Sequence, residues 1–105
     1  MSQFVHPSSE DITLHGILNA LGDPLRLRIV KNLVKKKGFM SCSEASPCHT
    51  IPKSTLSHHF RILRESGLIR TTKQGVEHRN VLRLDDIEHK FPGLLKTVLK
   101  YGQSE

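Results

Sequence analysis

Between Lys53 and Gly67 the apolar residues Leu56, Phe60 and Leu63 recur at i, i+4 and i+7, one narrow arc of a helix. The opposite arc is centred near His58 and carries Ser54, His58, Arg61 and Glu65, with Thr55 and Ser57 flanking it. The same spacing predicts an earlier helix, capped by Ser9 or Asp11 and running to Leu21, with Ile12, Ile17, Leu18 and Leu21 as its apolar positions. Gly22-Asp23-Pro24 breaks that helix. Asp23 then caps a second one whose first residue is Pro24, where a missing N–H costs nothing. Leu25, Ile29, Leu33 and Val34 give the second helix its stripe. Lys35-Lys36-Lys37-Gly38 ends it with positive charge at the carboxyl end of the dipole.

After Gly67 the period changes from helical to alternating. Leu68 to Lys73 reads as a strand, Gln74 to His78 as a turn in which Gly75 takes positive φ, and Arg79 to Leu84 as the returning strand. Val81 falls on one face of that strand, Leu82 and Leu84 on the other, and Arg70, Lys73 and Arg79 rim the hairpin. Leu84-Asp85-Asp86 caps a further helix that Phe91-Pro92-Gly93 interrupts. Leu94, Leu95, Val98 and Leu99 form a terminal stripe long enough to want a partner. Phe39-Met40 suits a very short strand, and Ser43 to Ser46 a short helix limited by Pro47. His6-Pro7 discourages helix, so residues 1–8 are expected as a flexible arm, 9–101 as one domain and 102–105 as a frayed tail. The order of elements, with a short helix before a longer one and then a basic hairpin, is that of an α+β, mainly helical, winged helix-turn-helix.

Composition narrows the picture. A chain of 105 residues with 36% hydrophobic content, four Phe, one Tyr and no Trp builds one modest core of Leu, Ile and Val. No stretch is long and apolar enough to cross a membrane, and MSQFVHPSSED lacks the basic and apolar regions of a secretion signal, so a cytoplasmic protein is expected. The net charge of +6 is uneven. Met1 to Pro52 has six basic and four acidic residues, Lys53 to Arg83 seven and two, and Leu84 to Glu105 three and four. The excess lies in the long helix and hairpin, as phosphate contact requires. The amino-terminal half of that helix offers hydroxyls, imidazole and positive charge, with no carboxylate before Glu65 to repel a polyanion.

The segments LGDPLRLRIVKNL, PKSTLSHHFRILRESGLI and LRLDDI together resemble the ArsR-type (arsenic repressor-like) winged helix-turn-helix regulators, over about Asp11 to Leu99. The middle motif reads here Ser54, Thr55, Leu56, Ser57, His59, Phe60, Leu63, Gly67, Leu68. The resemblance implies a homodimer that binds an imperfect inverted repeat in double-stranded DNA and represses a promoter. It places Lys53, Ser54, Thr55, Ser57 and His58 against DNA, with Arg61 as a further contact and Arg70, Lys73 and Arg79 on the wing. It makes the first and last helices dimerising elements, with Ile12, Leu18, Leu95 and Val98 at the interface.

For the helix residues the ordinary alternative is capping and solvated surface, since Pro52 has no side chain to satisfy first-turn N–H groups. For the hairpin cations it is plain exposed surface, and for His59, beside the apolar arc, a hydrogen-bonded packing role. Cys42 and Cys48 are too few for a disulfide scaffold. They are candidate sensors with three readings open: buried small hydrophobes, a redox pair needing Cα atoms within about 7 Å, or a thiolate metal site. The last would draw on Cys42, Cys48 and His49, with a fourth group from His58, Glu44 or a partner subunit, and suits Zn, Cu(I) or As(III). The family's Cys-x-Cys arsenic or cadmium pair is missing, because Ser43 and Glu44 follow Cys42. Its zinc site in the last helix is missing too, since Ile87 and Glu88 follow Asp86 and no histidine lies beyond His89. The persulfide-sensing cysteines of the second and last helices have no counterpart. The effector class stays open, and no cofactor is required for folding. The chain has no nucleophile–base–acid arrangement and no glycine-rich phosphate loop, which argues against an enzyme. The rival to a DNA-binding regulator is a winged-helix interaction or structural module.

Overall fold

The computed structural model describes residues 4–36, 40–41 and 50–102, and among these five α-helices pack with one three-stranded sheet. They are α1 (Leu14–Leu21), α2 (Pro24–Lys35), β1 (Met40–Ser41), α3 (Lys53–Ser66), β2 (Ile69–Gln74), β3 (Glu77–Leu82), α4 (Leu84–Lys90) and α5 (Leu94–Tyr101). The expected helix over Ser43 to Ser46 lies outside the described residues.

Helix α2 begins where its sequence says it should. Asp23 Oδ2 accepts from the N–H groups of Leu25 (2.9 Å) and Arg26 (3.1 Å), and Pro24 occupies the first helical position. Its buried side is broader than the expected stripe: Leu27, Ile29, Val30 and Leu33 are buried, Leu25 is partly covered and Val34 is exposed. The reason is that α2 packs against α1, α3 and the sheet at once, and Leu27 also abuts Gly102 at the end of α5. Helix α1 starts later than expected. Ser9–Asp11 form a separate 3-10 turn, Asp11 takes a hydrogen bond from Ser8 Oγ, and Thr13 Oγ1 caps α1 by accepting from Gly16 N–H at 3.1 Å.

Helix α3 ends in a six-residue closure. Gly67, at φ 90°, donates to Arg64 O (3.0 Å), and Leu68 N–H reaches back to Leu63 O (3.2 Å), with Leu63 and Leu68 both fully buried. A Cβ at Gly67 would run into Ile12, so the glycine serves both the left-handed turn and close packing. The chain then enters β2, which pairs with β3 from Ile69↔Leu82 to Gln74↔Glu77 without a bulge, one residue later at its start than the sequence pattern predicts. The loop is the two residues Gly75 and Val76, and only Gly75 (φ 63°) has positive φ, the II′ arrangement that suits a twisted hairpin. β1 pairs with β3 through Met40↔Asn80 and Ser41↔Arg79, so the sheet order is β1-β3-β2. Fully buried Asn80 ties the three strands together: its Oδ1 accepts from Thr71 Oγ1 (2.7 Å) and its Nδ2 donates to Met40 O (3.1 Å).

Phe60, Leu63, Ile17, Ile29, Leu68, Ile69, Ile87 and Leu95 form the centre of one core shared by helices and sheet. Val81, read as lying on one face of the returning strand, is 42% exposed, while Leu84, read with Leu82 on the other face, falls beyond the strand at the start of α4 and is 47% exposed. Ile12 and Leu95, expected at a dimer surface, are each only 2% exposed within one protomer. Both therefore belong to the protomer's own core, whereas Leu18 is exposed, as are Leu14 and Tyr101.

Candidate nucleic-acid interface

The amphipathic design of α3 sorts its residues by burial. Phe60 and Leu63 are fully buried and Leu56 packs on the core, whereas Lys53, Ser54, Thr55, Ser57, His58 and Arg61 are all exposed. Pro52 at the helix start supplies no side-chain cap. The first-turn N–H groups therefore join Lys53 and the hydroxyls in an electropositive end. Arg61 Nε meets Glu65 Oε2 at 3.3 Å with both side chains well exposed, a surface pair of little net worth that leaves the guanidinium available to a phosphate.

The wing cations do not all share a face. Register places Arg70 opposite Val81 and Thr72 opposite Arg79, so Arg70 and Arg79 project from the same side of the hairpin. Lys73, opposite His78, projects from the other side, beyond the edge of the core. Arg79 lies 3.8 Å from Glu77. Arg70 and Lys73 are exposed and Arg79 is half-buried.

His59 has the hydrogen-bonded packing place expected for it. Its Nδ1 lies 3.1 Å from Arg26 Nη1 and 3.9 Å from Asp23 Oδ2, with the ring 12% exposed. Burial lowers its pKa first; nearby Asp23 opposes this, while Arg26 and His58 add to it. Burial by itself would raise the Asp23 carboxyl, but the Arg26 N–H, the Arg26 charge, His59 and the Leu25 N–H together hold it below 3.8.

Sequence reasoning missed the amino-terminal arm. Phe4 sits under Arg64 of α3 (4.4 Å to the ring centre) and edge-on to His78 of β3 (5.0 Å). His6 Nε2 accepts the Thr71 N–H of β2 at 2.9 Å, and Pro7 O accepts from Arg83 Nη1 at 2.8 Å. Burial, then Arg70, Arg83 and Arg64, push the His6 pKa below 6.5. Residues 4–8 thus run along the free edge of β2, joining the end of α3 to the hairpin. The arm has no periodicity, and a lone His-Pro carries no signal of its partner.

Cys42, Cys48, His49 and Glu44 lie outside the described residues. Among the described residues no cluster of three or more His, Cys, Asp or Glu is placed to hold a metal ion, and no helix is long and apolar enough to cross a membrane.

The family model described as a helix-turn-helix domain matches residues 21–72, from the end of α1 through most of β2. The uncharacterised HTH-type transcriptional regulator YceK of Bacillus subtilis is 37% identical over 90 residues, covering 86% of this chain and 90% of that protein. The arsenical resistance operon repressor of Staphylococcus xylosus is 31% identical over 83 residues, covering 74% of this chain and 68% of the repressor. This chain belongs to the ArsR family. The crystal structure of the transcriptional repressor BigR from Xylella fastidiosa superposes on it with a TM-score of 0.64 at 28% identity, covering 84% of each chain. The ArsR-family protein is accordingly a DNA-binding regulator with a winged helix-turn-helix fold, whose β-hairpin wing is β2–β3. Family membership also sets the enzyme class aside.

Proposed function

We propose that the chain acts as a homodimer in which two copies of α3 enter successive major grooves of an inverted-repeat operator, repressing the promoter. The observation that carries this reading is the exposed, carboxylate-free face from Lys53 to Arg61, continued by the wing cations Arg70 and Arg79 on one side. Ser54, Thr55, Ser57 and His58 reach base edges while Lys53, Arg61 and the wing hold phosphates, Lys73 from the opposite side of the ribbon. The dimer draws on Leu14 and Leu18 of α1 and Val98 and Tyr101 of α5, backed by Ile12 and Leu95. The Staphylococcus and Xylella relatives are named as repressors, and repression is carried over as part of the proposal. Release through Cys42 and Cys48, by a thiol or metal signal, has a route to the wing: Cys42 follows β1, whose Met40 carbonyl is held by Asn80 of β3.

The test is selection from a random duplex pool, followed by a salt titration on the recovered sequence. A palindromic consensus is expected, with affinity falling about 10³-fold or more between 50 and 200 mM salt for about six or more phosphate contacts. Repeating the titration with oxidised protein and with thiophilic metals identifies the signal. An interaction module would instead show no consensus, a flat salt response and indifference to charge reversal at Arg61, Lys73 and Arg79.

A further inference from the structure

One guanidinium connects the α1 end to the recognition helix. Arg26 Nε donates to Ala20 O (2.7 Å) and Nη2 to Asn19 O (3.1 Å), both carbonyls in the last turn of α1. Its third contact is His59 Nδ1 on α3, at 3.1 Å. A guanidinium only donates, so His59 Nδ1 must accept, and the ring proton of the neutral imidazole sits on Nε2. The next residue back, His58, is exposed on the DNA side of α3, its ring 5.6 Å from that of His59. The fork therefore joins the last turn of α1, the helix that carries Leu14 and Leu18, to the helix proposed to carry the base-reading side chains.

We propose that Arg26 is a positioning residue that sets the recognition helix relative to α1, and that protonation of His59 releases this lock. The inference rests on the DNA-binding reading above. A proton taken from solvent onto Nδ1 removes the lone pair that Arg26 uses, and places a donor against a donor. The same N–H then has Asp23 Oδ2 as its acceptor, 3.9 Å away, and closing to a charge-assisted hydrogen bond takes about 1 Å of movement. That oxygen already caps α2 through Leu25 and Arg26 N–H, so the exchange draws on the first turn of α2 as well. The charged and titratable groups facing His59 are Asp23 and Arg26 of α2 and His58 of its own helix; from α1 come the two carbonyls that hold Arg26. In the neutral state α1, α2 and α3 share one arginine. In the protonated state α3 is tied to Asp23 instead, and Arg26 keeps only α1.

Two measurements decide the proposal, the first without DNA. Nitrogen–proton correlation spectra of the histidine rings are expected to show His59 as the Nε2–H tautomer. Its titration midpoint is expected to rise in Arg26→Gln, and in Arg26→Lys should the first variant fold poorly, since a lysine cannot span three acceptors. An Nδ1–H tautomer, or a midpoint indifferent to both changes, overturns the proposal.

The second measurement follows binding to the selected duplex from pH 8 to pH 5.5 at constant salt. His59→Asn keeps an acceptor near the Nδ1 position but takes up no proton. Each protein is normalised to its own affinity at pH 8, and His58 is present in both, so its contribution cancels. Wild type is expected to lose about tenfold relative to His59→Asn on acidification. Superimposable profiles overturn the switch. If neither protein binds any duplex at pH 8, the DNA-binding reading fails, while the ring spectra still decide the Arg26–His59 contact.

Discussion

Gly67 and Gly75 both have positive φ, yet they differ in what surrounds them. At Gly67 an added Cβ meets Ile12, whereas at Gly75 it meets nothing within 4 Å. Gly67→Ala therefore combines left-handed strain with overpacking and is expected to cost at least about 2 kcal/mol, against about 1 kcal/mol for Gly75→Ala. Urea denaturation midpoints of the two variants check the order. Asp23→Ala removes the α2 cap and is expected to cost about 1 kcal/mol at neutral pH, with Asp23→Asn milder because the amide oxygen still caps. The folded Asp23 carboxyl lies below 3.8, so its stabilisation is present above that pH and lost as pH falls through the folded value. The Asp23 cap and the helix end at Gly67 were both readable in the sequence, because caps and helix-stopping glycines are local. The contact of Gly67 with Ile12, 55 positions away in number, was not.

At the scale of elements, the arm and the wing behave as one unit. The predicted flexible stretch instead supplies His6 to the one N–H of Thr71 on the outer edge of β2. The folded His6 pKa is lowered, so the unfolded chain binds the proton more readily below 6.5. Stability from this contact is full above pH 6.5 and declines as pH falls from there through the folded value. Hydrogen exchange at Thr71, corrected for its intrinsic pH dependence, is expected to lose protection over that window, and His6→Ala to show the loss at every pH. Alternation along β2 and β3 was visible from their residue types. Alternation alone puts Lys73 on the opposite side from Arg70, but placing Arg79 on the Arg70 side needed the register, because a shift of one residue reverses every side chain.

At the scale of the whole molecule, apolar surface on α1 and α5 is set against a polar, cationic recognition face. Leu14 and Leu18 are each 46% exposed and Tyr101 72%, and these are side chains that the proposed dimer would bury. Leu18→Glu with Tyr101→Glu is expected to convert the proposed dimer to monomer in sedimentation, and to weaken operator binding by at least about 100-fold through loss of the second half-site. The protomer fold should survive, since neither residue is buried in it.

Local chemistry along the chain was enough to determine the α3 amphipathic arc, the Asp23-Pro24 helix start, the turn at Gly75 and the concentration of positive charge between Lys53 and Arg83. Those features depend on neighbours a few residues apart, where periodicity and backbone preference act. Tertiary structure alone decided that Ile12 and Leu95 are core, that Arg26 reaches both α1 and His59, and that Phe4 and His6 fasten the wing. Each of these joins residues distant in sequence whose types are compatible with many partners, so only the packed chain, by bringing donor to acceptor and methyl to glycine, selects one.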